Sequence, residues 1–146
     1  VSTSALGVDS FYNQSEGTVF TESDAQVGSN LARLVGMNDG TISNRHEVFV
    51  VNNGTTHGFQ VNGDVVEVTL IRNSGAKAVL AYALNDYAFT VDAQALVNDT
   101  AATPPTVTQM SIGNWYDNTG QLNGHIKRLS YFPTRLPNAN LKNITS

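Results

Sequence analysis

Residues 59–70 read FQVNGDVVEVTL, two apolar runs on either side of Asn62-Gly63. Such a pair predicts a β-hairpin, because both central residues of a type I′ turn need positive φ and Asn-Gly accepts it at little steric cost. In the second run Val66, Val68 and Leu70 stand two apart and are expected on one face of their strand.

Outward from this hairpin, turn-forming clusters recur at short intervals: MNDGT at 37–41, NNGT at 52–55, NSG at 73–75, ND at 85–86 and 98–99, and DNTG at 117–120. That spacing predicts many short antiparallel strands, as in a two-sheet β-sandwich. Further strands are expected over 18–23, 31–37, 47–51, 77–84, 87–92, 106–113 and 125–132. In 77–84 the run AVLAYAL is almost continuously apolar, as in a central strand covered on both faces or the inner layer of a sandwich. GHIKRLSYF breaks simple alternation, and a β-bulge at Lys127-Arg128 would turn Ile126, Leu129 and Tyr131 inward together. Pro137 then opens a short helix over 138–144, with Leu141 and Ile144 three apart, that is expected to close one end of the sandwich. NDTAATPPTV at 98–107 reads as a loop stiffened by Pro104-Pro105.

A chain of 146 residues suits one domain and has no room for a second core, so 1–146 is read as a single unit. With 40% hydrophobic and only 14% charged residues, the polar remainder is rich in Asn, Thr, Ser and Gly, which suit strand faces and turns. Eight scattered basic residues and a formal charge of −4 leave no footprint for a phosphate backbone, so nucleic acid is not an expected partner. Lys127-Arg128 with Arg135 reads as a solvated strand edge and loop. No cysteine is present, so burial and hydrogen bonds carry the stability. No run of about 20 apolar residues offers a membrane span, and no membrane insertion is expected.

Glycoside hydrolysis needs two carboxyl groups roughly 5–10 Å apart. Glu22 and Asp24 have the strand spacing for it, but the third acid of the jelly-roll glucanase pattern is replaced by Val27, so no enzyme is expected. His46, His57 and His125 lack metal-ligand spacing and read as polar strand or loop residues. No Gly-x-Ser-x-Gly elbow occurs. Asp117, Asn118 and Asp99 are hard ligands of the kind calcium takes, without an ordered Asp-x-Asp series. The expectation is no cofactor, with calcium the one ion the chemistry leaves open. Sugar binding asks for a ring that stacks on a pyranose beside amides and carboxylates that bond its hydroxyls. GNWYDNTGQ supplies Trp115, Tyr116, Asp117 and Asn118 in one loop, and YALNDYAF supplies Asn85, Asp86 and Tyr87. The alternative for Trp115 is a ring that packs the sandwich end.

The closing segment LNGHIKRLSYFPTRLPNANLKNITS resembles the C-terminal signature of phage tail-fibre and tailspike domains of the concanavalin A-like lectin, laminin G-like kind. Upstream, GTVFTES, KAVLAYALNDYAFTVDAQ and MSIGNW resemble the opening strand, central hairpin and aromatic-loop strand of those domains. Where the family has VDG after the hairpin, this chain has Val91-Asp92-Ala93. The resemblance implies a concanavalin A-like jelly roll at the C-terminal end of a longer fibre protein. It implies an extracellular virion domain that recognises cell-surface polysaccharide, as a homotrimer within the full-length fibre. A structural trimerisation or capping role and a glycan-degrading enzyme are the competing classes.

Overall fold

A computed structural model describes residues 6–24 and 31–146 of the chain. Its elements are β1 (Leu6–Gly7), β2 (Glu16–Ser23), β3 (Leu31–Asn38), β4 (Arg45–Val51), β5 (Thr55–Asn62), β6 (Val65–Asn73), β7 (Lys77–Ala83), β8 (Tyr87–Val91), β9 (Val97–Asp99), β10 (Gln109–Ile112), β11 (Ile126–Phe132) and α1 (Asn138–Thr145). They form two antiparallel sheets, one six-stranded in the order β1-β10-β3-β4-β5-β6 and one five-stranded in the order β11-β2-β7-β8-β9. The main core lies between them and includes Val19, Val35, Met37, Val48, Leu80, Tyr82 and Phe89. Among the described residues no helix is long and apolar enough to cross a membrane.

The β5–β6 hairpin forms, but its turn falls one residue later than Asn62-Gly63. Gly63 (φ 56°) and Asp64 (φ 68°) take the two left-handed positions, while Asn62 stays in β5 opposite Val65. Asp accepts that conformation much as Asn does. The neighbouring 39–44 loop also fixes it, since Gly63 N–H donates to Asn44 Oδ1 and the Ser43 hydroxyl donates to Asp64. A register shift then pairs Val61 with Val66 and Gln60 with Val68. The odd residue turns Val66 away from Val68 and Leu70, so Val66 is 55% exposed while the other two are buried.

The strand β7 runs through the middle of its sheet, which accounts for its continuous apolar sequence. Ala78, Leu80 and Tyr82 face the main core, and Val79 and Ala81 face outward under α1 with Phe20, Ala88 and Leu141. Here the helix differs from expectation: it lies across the outer face of the five-stranded sheet, over β7 and β8, rather than across an end. The apolar outward row from Phe20 to Ala88 needs that cover, and Leu141, Ile144 and Leu136 provide it. Pro137 stands at the N-cap. The β11 bulge lies where expected, between Ile126 and Arg128, and Leu129 and Tyr131 pack against the core, whereas Ile126, expected inward with them, is half-buried and lines an open cavity instead. The expected strand over 106–113 shortens to β10. Its upstream part is tied instead to Gln14, which donates to Val107 O (2.7 Å) and accepts from Val107 N–H (3.0 Å).

His46 is a core residue. Its Nδ1 lies 3.1 Å from the Tyr12 hydroxyl and its Nε2 2.9 Å from the Tyr87 hydroxyl, and its ring stacks on Tyr82 at 4.4 Å. One ring nitrogen of neutral imidazole donates and the other accepts, and hydroxyls can complement both. Burial pushes the His46 pKa down to about 3, so the ring is neutral.

Candidate functional site

On β4 the side chains alternate, so His46, Val48 and Val50 point into the core while Arg45, Glu47 and Phe49 point out of the six-stranded sheet. Neighbouring strands complete that outward face with Asn38 and Gly36 from β3, Phe59 and His57 from β5, and Gln109 and Ser111 from β10. A bulge in β3 brings Arg33 to the same face. Arg33 pairs with Phe49 and Val35 with Val48, so the extra residue lets Leu34 and Val35 both be buried while Arg33 looks outward.

These residues form a closed constellation around one carboxylate. Arg45 Nε donates to Glu47 Oε2 at 3.0 Å and Arg33 Nε approaches Glu47 Oε1 at 3.4 Å. The Arg45 guanidinium also donates to the carbonyl of Ile42 and lies over the Phe59 ring at 5.3 Å. The Arg33 guanidinium lies 6.0 Å from the centroid of Phe49 and 4.3 Å from that of Trp115. Further along the face, Phe49 stacks on His57 at 5.0 Å, and burial lowers the His57 pKa. Glu47 keeps 4% of its side chain exposed, and the two arginines about a tenth. Two guanidiniums bear on the one carboxylate inside this nearly desolvated cluster, and the second negative charge near Arg33, that of Asp117, stands outside it in solvent. All twelve acidic residues lie in the described part of the chain, and among them only Glu47 is in ion-pair contact with either arginine. A partly desolvated surplus cation favours an anionic partner.

The loop over 113–125 forms the rim. Trp115 N–H donates to Thr119 O at 2.7 Å and Asn118 N–H to Trp115 O at 3.0 Å, closing a tight turn in which Asn118 takes φ 65°. Asp117 is tied locally: it accepts from the Thr119 hydroxyl and amide, and these bonds, with Arg33 nearby, hold its carboxyl below the usual range. Gly120 takes a left-handed backbone (φ 60°) that favours glycine, and an added Cβ there would come within 2.8 Å of Arg33 Nη1 and push the guanidinium aside. Tyr116 packs edge-on against Trp115 at 4.7 Å, and Trp115 Nε1 is buried without a hydrogen-bond partner among the described residues.

Of the site residues named from sequence, Trp115, Tyr116, Asp117 and Asn118 therefore lie together in one turn that meets Arg33 through Trp115 and Asp117. Asn85, Asp86 and Tyr87 do not join them. Register places the 84–86 turn at the Glu16 end of the five-stranded sheet, whereas the 113–125 loop enters that sheet at its Ser23 end. Tyr87 must be withdrawn as a ligand residue, because its side chain is fully buried and its hydroxyl is bonded to His46. Asp86 pairs with Arg135 at 2.9 Å. Glu22 lies at the end of β2 in register with Arg128 and Lys77, and Asp24 accepts from His125 N–H at 2.6 Å. The residue Val27 lies outside the described part. Asp99, on the far edge strand β9, does not meet Asp117 and Asn118, and no group of three or more His, Asp or Glu comes together among the described residues.

Sequence reading missed Arg33, Arg45, Glu47 and Phe49. The available signal was RHEVFVV, where Arg, Glu and Phe recur with period two inside an otherwise apolar strand.

This architecture is a jelly-roll β-sandwich of the concanavalin kind. The CBM40 carbohydrate-binding module of the Ruminococcus gnavus IT-sialidase, bound to α2,6-sialyllactose, superposes with a TM-score of 0.78 at 13% identity, covering 98% of this chain and 93% of the module. The NanB sialidase of Streptococcus pneumoniae matches at a TM-score of 0.77 and 13% identity over 96% of this chain, which spans 26% of that enzyme. A heptameric pentraxin of Limulus polyphemus matches at 0.66 and 11% identity, covering 99% of this chain and 73% of the pentraxin. No family model and no curated protein matches the sequence.

Proposed function

We propose that this domain is a non-catalytic glycan-recognition module whose site is the outer face of the six-stranded sheet around Arg33, Glu47 and Arg45, rimmed by Trp115, and whose ligand is an acidic sugar. The observation that carries this reading is the surplus positive charge held almost dry between aromatic rings. Guanidiniums recognise carboxylates by paired, charge-assisted hydrogen bonds, and flat rings accept the apolar face of a pyranose. Glu47 fixes the two arginines in advance, which lowers the ordering cost of binding. That the R. gnavus module of the same fold is bound to an acidic trisaccharide supports the choice of ligand class.

The C-terminal resemblance supports a place for the domain: the end of a phage tail fibre or tailspike, outside the cell, presented to host-surface polysaccharide in a trimer. A glycan array of sialylated, uronate-bearing and neutral glycans, run beside a solution mass measurement, tests both parts. Acidic glycans are expected to dominate the array and to fade with Arg45→Gln. An array without binders, together with a stable trimer, would favour the capping role instead.

A further inference from the structure

The 113–125 loop has a second side. Opposite the arginines, a cavity of about 280 Å³ opens between the edges of β10 and β11, lined by Ile112, Gly113, Asn114, Gln121, Leu122 and Ile126, with Gly124. A larger hollow adjoins it, sharing Leu122 and Gly124 and running on to Asn123, Asp24 and His125. We infer that this trough is a second sugar subsite that takes the neutral residues attached to the acidic sugar, so that the domain reads an oligosaccharide across the loop rather than one terminal unit. In its choice of neighbour this rests on the acidic-sugar reading; the trough itself does not.

Chemistry and position carry the inference. The first cavity has no titratable side chain in its lining. It offers the exposed Gln121 amide and main chain at Gly124 above an apolar floor of Ile112, Leu122 and Ile126, while Asn114 lines it with its amide nitrogen already donated to Asn118 Oδ1 at 3.0 Å. Hydroxyl-bonding groups beside an apolar floor suit an uncharged pyranose, and the volume is at the small end for a ligand site. Asp24 and His125, the ionisable pair at the far end, bond to each other. The two sites are one residue apart at two points of the chain. Trp115 lies against Arg33 while Asn114 lines the cavity, and Gly120 touches Arg33 while Gln121 lines the cavity. Consecutive Cα atoms are about 3.8 Å apart. The loop itself is held in place, because Gly113 N–H donates to Leu34 O at 3.0 Å and Leu122 N–H to Gly113 O at 2.7 Å.

Amide chemical-shift mapping on the whole chain separates the possibilities, with N-acetylneuraminic acid, lactose and 3′-sialyllactose as probes. The acid alone is expected to shift residues around Arg33 and Arg45, lactose alone those at Gly113, Gln121 and Gly124, and sialyllactose both sets at about tenfold higher affinity than the acid. Gln121→Ala, at an exposed position, should remove the lactose shifts and that affinity gain while leaving the acid's affinity unchanged. If lactose moves the crevice amides but the acid moves nothing near the arginines, the subsite stands and the acidic-sugar reading fails. If the acid binds, but neither lactose nor sialyllactose moves Gly113, Gln121 or Gly124, the subsite is wrong.

Discussion

His46 and its two neighbours on β4 are built on opposite principles. Inward, His46 is a polar residue closed on itself, neutral and bonded at both ring nitrogens to tyrosines. Outward, Arg45 and Glu47 are held in place as firmly, but their cluster with Arg33 carries more positive than negative charge. Both groups are buried and both are hydrogen-bonded, so burial alone does not separate structure from function. The inner network is complete within the chain, whereas the outer one sets two guanidiniums against one buried carboxylate, the feature on which the proposed anionic ligand rests.

The contrast can be broken from either side. The largest effect is expected from Glu47→Ala, which strands two nearly desolvated guanidiniums. Removing one partner of a buried ionic cluster costs about 3–5 kcal/mol, so the melting temperature should fall steeply in calorimetry. A fall of less than a degree would mean that the arginines relax freely into solvent. Next comes His46→Phe, which leaves the Tyr12 and Tyr87 hydroxyls without their shared partner at roughly 1–3 kcal/mol for each stranded group. Denaturant unfolding should register that loss while glycan affinity per folded molecule stays unchanged. Trp115→Ala should do the opposite: about tenfold to a hundredfold weaker glycan binding, from the loss of a stacking ring worth roughly 1–3 kcal/mol, with a small change in melting temperature. If melting drops sharply and affinity of the folded fraction holds, Trp115 is a packing residue.

A last effect is a pH dependence, spread over several pH units rather than seen at one condition. His46 titrates near 3 in the folded state and near its ordinary 6.5 when unfolded. The unfolded chain therefore binds the extra proton first as pH falls. Stability attributable to His46 is full above about pH 6.5 and declines toward pH 3, by at most about 1.4 kcal/mol per pH unit. In urea titrations between pH 7 and 4, His46→Gln should flatten that part of the slope. An unchanged slope would place the acid sensitivity elsewhere.

Much of the fold was legible because turn chemistry and strand period are local. The β5–β6 hairpin, the paired faces of β7 and the β11 bulge all follow from residues close in sequence. The hairpin turn was misplaced by one residue because Asp64 shares the conformational freedom of Asn, and a contact from the 39–44 loop decided between them. The helix was expected at an end because its length and caps say nothing about which apolar surface it must cover. For the site, the 115–118 turn could be read directly. The arginine cluster could not, since β3 and β4 are brought together only by register, and Arg33 reaches the outer face only through a bulge. A β4 read as starting at Glu47 also left Arg45 in the preceding loop, which hid the Arg45-x-Glu47-x-Phe49 alternation.

The central claim is that the Arg33–Glu47–Arg45 face is completed by a sugar's negative charge, and calorimetric titration with one glycan in two forms tests it most directly. The best acidic binder from the array is compared with the same glycan after its carboxylate has been reduced to the neutral alcohol. A charge-assisted contact to guanidinium is worth about 1.5–3 kcal/mol, so reduction should weaken binding by at least about tenfold, and the difference should shrink in Arg45→Gln. Equal affinity for the two forms in the wild-type domain would contradict the account.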